Sequence, residues 1–243
     1  LLLEKKNEYL IVFFKHSFSA GDGIVGDGEI SQIGDLAGKR IAVQANGPHV
    51  DFVGRILSDG GLSFDDVEIV WTADLTGDGD TPSAAMLDDR ADAAAVILPD
   101  ARFLTSDGTV GTGAEGSVRD ATILISTQEA ASVISDYIAV RADYFDAHRD
   151  DIARMVNIFF RAEEEMRRFM ADEADPRQAQ MAQLMADEFL GGLPQEEGVF
   201  LWQDAITDGW AGNARHFADA NEARRFDVLM EEVNIALRGA DRL

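Results

Sequence analysis

The sequence predicts an α/β protein in which a parallel sheet comes first and a set of helices comes last. Three observations carry this. Between Asp35 and Asp100, strand-like and helix-like segments alternate. The helices in that stretch open on helix-start chemistry, and the first closes on Gly60-Gly61. From Asp150 onward the apolar residues recur mostly at helical spacing.

The elements follow in order. Tyr9 to His16 is a compact β-rich apolar run, consistent with a strand covered on both faces. It breaks at Ser17–Gly23, and a short run, Gly23 to Gly26, follows before one turn of helix at Ile30 to Leu36. Arg40 to Gln44 is the next strand. Pro48 sits where first-turn prolines sit, with Asn46 or Gly47 as cap, and Val50, Val53, Ile56 and Leu57 form the apolar stripe of a helix. Val67 to Trp71 is a strand, Thr81-Pro82 opens a second helix, and Ala93 to Leu98 is a third strand. Two consecutive strand-helix-strand units imply parallel strands joined by right-handed crossovers. After a glycine-rich loop, Ala121 to Ser126 and Val133 to Val140 read as two further strands. Ile152, Met155, Val156, Phe159 and Phe160 mark a long helix, Met181 to Phe189 a second, and Glu222 to Arg238 a last one. Trp210-Ala-Gly-Asn213 reads as a loop whose tryptophan walls a small pocket or packs in the core.

Composition excludes several functions. The chain has 243 residues, 21 Lys and Arg against 45 Asp and Glu, a net charge of −24. A nucleic-acid partner is not expected, because phosphate contact needs a basic face. There is no cysteine, so disulfides, thiolate metal sites and thiol nucleophiles are ruled out. The four histidines, His16, His49, His148 and His216, are too scattered for a paired zinc motif, and no metal site or other cofactor is expected. No Gly-x-Ser-x-Gly elbow is present. Gly21 to Gly26 and Gly111 to Gly116 match the dinucleotide fingerprint as strings but lack the strand-then-helix context, so they read as turn glycines. Asp74 to Asp80 resembles the start of a calcium loop, yet Ala85 stands where the bidentate glutamate belongs. No run of 18 apolar residues exists to span a membrane.

Taken together, Asp35-Leu-Ala-Gly-Lys-Arg-Ile-Ala-Val-Gln44, the helix opened by Asn46-Gly-Pro-His49, the Gly60 to Ser63 turn with Asp66-Val67, Ala91 to Ala95 and Tyr137 to Phe145 resemble the substrate-binding proteins of ABC importers. The nearest group is the nitrate, sulfonate and taurine type, the NMT1/THI5-like group; Gly111 to Ser117 and Trp210 to Asn213 resemble its members too. The resemblance covers the chain from about Val12 onward. It implies a type II periplasmic binding protein: two α/β lobes with a ligand cleft between them. It also implies an N-terminal segment before the strand at Tyr9, so lobe 1 is expected to be incomplete in this chain. Lobe 1 would be residues 1–34 plus 144–243, and lobe 2 residues 35–143.

In such sheets ligands sit beyond the carboxyl ends of the strands, where helix N-termini aim N–H groups at them. That places Gln44, Asn46, Gly47, His49, Thr72, Asp74 and Asp100 of lobe 2 at the ligand, with Pro99 beside them. His16, Ser17 and Ser19 would come from lobe 1, and Trp210 is the remaining candidate. The implied function is the exported, periplasmic solute-binding component of an ABC importer. It would be a non-enzymatic monomer that closes around a small organic or oxyanion solute and delivers it to a membrane permease. Two alternatives stand beside it: an enzyme on the same fold, such as a lyase or a pyrimidine synthase of the THI5 branch, and the ligand-sensing domain of a regulator. The synthases use a cysteine-rich motif that this chain lacks. A helix N-terminus suits an anion, whereas Asp74 and Asp100 suit a cation or a hydrogen-bonding heterocycle.

Overall fold

The computed structural model describes residues 9–18, 21–77, 79–114, 116–127, 129–130, 134–189, 194–222 and 225–241; for residues 9–18, 189, 197, 200, 201 and 204–206 it describes the backbone alone. The chain divides into two compact units. One takes the residues up to Ser17 with Ser135–Arg225, and the other takes Phe18–Ile134 with the segment from Phe226 onward.

The second of these is built on a five-stranded sheet. Its elements in chain order are β2 (Asp22–Gly26), β3 (Arg40–Gln44), α1 (His49–Asp59), β4 (Glu68–Thr72), α2 (Pro82–Leu87), β5 (Ala93–Ile97), α3 (Leu98–Leu104) and β6 (Thr122–Ser126), β1 being Tyr9–Phe18. The order across the sheet is β4-β3-β5-β2-β6. β3 runs parallel to β4 and to β5, as the double crossover predicts, with Gln44 opposite Thr72 and Ile41 opposite Ala93. β2 runs antiparallel to both β5 and β6, with Asp22 opposite Ile97 and Gly23 opposite Ser126.

Both faces of the sheet are covered, which is why its strands read as near-continuous apolar runs. The period of two sorts their side chains. Ile24, Ile41, Val43, Ala93 and Ala95 join Val53, Ile56 and Leu57 of α1 in one core. Val25, Ala42, Ala94 and Val96 join Ala85 and Met86 of α2 and Ala101 and Leu104 of α3 in the other. Thr81 caps α2 by accepting the Ala84 N–H at 3.2 Å, and Pro82 fills the position whose N–H needs no partner. Two 3-10 turns, Ile33–Leu36 and Phe64–Asp66, each open with a capping box.

The last helix of the chain, α9 (Phe226–Gly239), belongs to this unit and packs on α1. Gly54 makes that approach: a Cβ there would lie 3.0 Å from the Phe64 ring and 3.2 Å from the Ala236 methyl.

The other unit carries the sheet β7-β1-β8, with β7 at Ser135–Arg141 and β8 at Ala205–Thr207. β1 and β7 are antiparallel, Phe13 opposite Ile138 and His16 opposite Asp136, with two register shifts. Its helices are α4 (Ala142–Ala147), α5 (Arg149–Met170), α6 (Pro176–Phe189), α7 (Gln195–Asp204) and α8 (Gly209–Ala218). Among the described residues no helix is long and apolar enough to cross a membrane.

The compact units do not follow the boundaries read from the sequence at 34/35 and 143/144. β2 lies inside the five-stranded sheet, so residues 22–26 join the unit of Arg40–Gln44. β7 pairs with β1 and takes residues 135–143 away from that unit, while α9 returns to it through α1. Trp210 is also not in a loop: Gly209–Ala218 is helical.

Candidate ligand site

The rim formed by the strand ends in the five-stranded unit holds most of the residues expected at the ligand. β3, β4, β5 and β6 all end there, and β2, antiparallel to its neighbours, begins there. The Ala45 N–H donates to the Thr72 carbonyl at 2.9 Å, carrying the pairing of β3 and β4 one residue past the strand ends.

Gln44 is half-buried, and its side chain lies over Gly47, where an added Cβ would come within 2.3 Å of Oε1. The connection from β3 to α1 turns at Asn46, which is exposed and has φ of +60°, a left-handed conformation that asparagine tolerates. The helix then begins at His49 with Pro48 as its cap residue, one or two positions later than Asn46 or Gly47. Thr72 is 1% exposed and its hydroxyl donates to the Asp74 carbonyl at 3.2 Å. Asp74 is exposed, in a loop closed by its own N–H on the Asp80 carbonyl at 3.0 Å. Asp100 lies in the first turn of α3, half-buried, and accepts the Ser83 hydroxyl at 3.0 Å. Burial pushes the Asp100 carboxyl above its ordinary value, and the Ser83 hydrogen bond partly offsets this.

His49 is fully buried, and its Nε2 lies 2.8 Å from Asp22 Oδ1. Asp22 is in turn tied to Thr127: its backbone N–H donates to Thr127 Oγ1 at 3.2 Å, and its carbonyl accepts the Thr127 N–H at 2.9 Å. A buried polar chain therefore joins the start of α1, the start of β2 and the residue after β6. In this arrangement His49 holds the rim together and does not present its ring to solvent. Its Nδ1 has no hydrogen-bond partner among the described residues.

Three of these residues, Asp22, Thr127 and Ser83, were not among the expected site residues. Asp22 follows Gly21 in what reads as a turn, and nothing near it in sequence announces a histidine partner.

The remaining candidates lie in the other unit or outside the described residues. His16 and Ser17 are on β1, opposite Asp136 and Ser135 of β7, with backbone alone described. Ser19 lies outside the described residues. Trp210 is 70% exposed on α8 and meets Phe160 of α5 edge to face at 5.9 Å. With α5 it walls a groove of about 750 Å³. Among the described residues no group of three or more histidines and carboxylates converges as a metal site.

Against this geometry the chain was compared with known proteins. A family model described as NMT1/THI5 like matches residues 14–168, more than half of the chain. The chain belongs to the NMT1/THI5-like family. No curated protein matches it in sequence. Among solved structures, the alkanesulfonate-binding protein SsuA from Xanthomonas axonopodis pv. citri, bound to MOPS, superposes with a TM-score of 0.58 at 19% identity, covering 82% of this chain and 61% of that one. The periplasmic aliphatic sulphonate binding protein SsuA from Escherichia coli gives 0.58 at 17% identity, over 85% and 62%. A putative sulfonate ABC transporter periplasmic sulfonate-binding protein SsuA from Methylobacillus flagellatus KT gives 0.61 at 17% identity, over 98% and 62%. These likenesses establish the fold as that of the periplasmic binding proteins. The chain spans about three-fifths of the length of these structures.

Proposed function

We propose that this chain is part of the solute-binding component of an ABC importer. In this reading the protein works outside the cytoplasmic membrane as a monomer. It captures a small organic or oxyanion solute with its two lobes and delivers it to a membrane permease, without converting it. The observation that carries the reading is the strand-end rim of the five-stranded unit. There parallel strands of an NMT1/THI5-like chain end together on Gln44, Thr72 and the turn into α1, with Asp100 beside them in α3. Strand ends facing a helix start are where open α/β sheets bind ligands. The sulfonate-binding proteins that share the fold support an oxyanion, while Asp74 and Asp100 add acceptors suited to a solute that also donates hydrogen bonds.

A thermal-shift screen of sulfonates, nitrate, pyrimidines and amines tests it. A solute present at 100 times its Kd stabilises the folded state by about 2.7 kcal/mol. The expected result is a clear rise in Tm, no chemical change in the solute, and loss of the rise in Thr72→Val. Conversion of the solute to a product would overturn the reading, and so would a Tm rise that Thr72→Val and Gly47→Val leave intact.

A further inference from the structure

Two structural demands meet in the turn from β3 to α1. Position 46 has φ of +60°, a left-handed conformation that asparagine tolerates better than most residues with a side chain. At position 47 an added Cβ would lie 2.3 Å from Gln44 Oε1 and 3.1 Å from its Cδ, so any side chain there displaces Gln44. The turn thus puts asparagine directly before glycine. Asn46-Gly47 is the only Asn-Gly pair in the sequence.

That pair has its own chemistry. A backbone nitrogen can attack the side-chain amide of the asparagine before it, and glycine, having no Cβ, shields its nitrogen least. Asn46 is exposed, and the Gly47 N–H donates to the Gln44 carbonyl at 3.3 Å, longer than the usual range for such bonds. Gly47 also lies just before Pro48, the cap residue of α1. The positive end of that helix favours the negative charge that forms on the attacking nitrogen, against the chain's net charge of −24. The other described asparagines lack this setting. Asn157, Asn213 and Asn234 lie inside α5, α8 and α9, where the helix holds the following N–H. Asn221 precedes a glutamate, whose N–H donates to the Asp219 carbonyl at 3.2 Å.

We propose that Asn46-Gly47 is a self-modification site that converts, without an enzyme, to isoaspartate and aspartate. The Gly47 nitrogen gives up its proton and bonds to Asn46 Cγ, and the side-chain nitrogen leaves as ammonia. Water then opens the five-membered imide at either carbonyl, its hydroxyl going to the carbon and its proton to the nitrogen. Nothing is oxidised or reduced. Both products replace an amide, which donates and accepts hydrogen bonds, with a carboxylate that only accepts them. The isoaspartyl product also lengthens the main chain by one methylene between β3 and His49, whose ring is fixed on Asp22 at 2.8 Å. Modification therefore adds a negative charge to the rim and loosens the start of α1. The chemistry does not depend on what the rim binds.

The test ages the full chain in warm, mildly alkaline buffer beside a synthetic peptide of residues Ile41–Arg55, the tryptic fragment that carries the pair. Mass spectrometry of the digest reads the amide-to-acid shift, and a protein isoaspartate methyltransferase labels the isoaspartyl product. Asn46 is expected to convert faster than Asn221 by about tenfold or more, equivalent to about 1.4 kcal/mol in barrier. The label is expected in the Ile41–Arg55 fragment, and Asn46→Gly, which suits the left-handed turn, is expected to abolish it there. The aged chain should unfold at lower urea than aged Asn46→Gly does relative to its own fresh sample. The proposal is overturned if the free peptide converts while the folded chain does not, or if Asn221 converts as fast. It is equally overturned if the shifted fragment takes no methyl label, or if full conversion leaves the urea midpoint unchanged.

Discussion

Replacing Asp22 with alanine removes the acceptor that meets His49 Nε2 at 2.8 Å. The histidine is fully buried, and its other ring nitrogen has no hydrogen-bond partner among the described residues. A buried donor stranded in this way costs about 1–3 kcal/mol, and the lost hydrogen bond to a carboxylate falls in a similar range; the two overlap, giving about 3 kcal/mol in all. That is a large fraction of the roughly 5–15 kcal/mol by which domains are stable. Asp22→Asn keeps an acceptor oxygen in place and is expected to cost about 1 kcal/mol. Urea unfolding followed by circular dichroism measures both. A cycle with His49→Phe isolates the pair: the double variant Asp22→Ala with His49→Phe should recover at least about 1 kcal/mol relative to the sum of the singles. If Asp22→Ala costs less than about 1 kcal/mol, or the cycle shows no coupling, the buried chain does not hold the rim and the reasoning fails.

Other predictions concern charge and packing. Hydrogen bonds from Arg40 hold the Asp92 carboxyl below its ordinary 3.8, at the far end of the sheet from the rim. Its contribution is therefore present above about pH 4 and lost as pH falls further. Asp92→Asn should lower stability at neutral pH by about 1 kcal/mol, after discounting for solvent screening, and the gap should close in acid-unfolding curves. Asp100 has the opposite sign. Its raised carboxyl contributes stability below pH 3.8 that is lost as pH rises through the folded value, so Asp100→Asn should raise Tm at neutral pH by roughly 2 °C, with the gain vanishing in acid. Gly54→Val should cost about 2 kcal/mol in urea titrations, because its side chain meets the Phe64 ring and Ala236 where α1 and α9 approach.

Much of the five-stranded unit was legible because its signals are local. The apolar run in Arg40–Gln44, the stripe of α1 and the Thr81-Pro82 cap each lie within a few residues of one another, and the elements fall where those signals put them. The rim residues Gln44, Thr72 and Asp74 follow from the strand ends by the same logic. His49 was legible as a residue at the start of α1 but not as a buried one, since its partner Asp22 precedes it by two elements and meets it only through the antiparallel entry of β2.

The helix α8 shows the same limit. Gly209, Gly212 and Asn213 argue locally for a loop. The helix forms because Glu163 of α5 accepts the Gly209 N–H at 2.9 Å and supplies the missing cap, and Asn213 donates back to the Gly209 carbonyl at 2.8 Å. Sequence alone thus determined which segments are strands and helices wherever periodicity and capping sit side by side, and with them the family and the strand ends that form the rim. The tertiary structure alone decided where β2 and α9 pack, which carboxylate caps α8 and which partner buries His49. Each of those depends on residues distant in the chain, whose meeting no local pattern encodes.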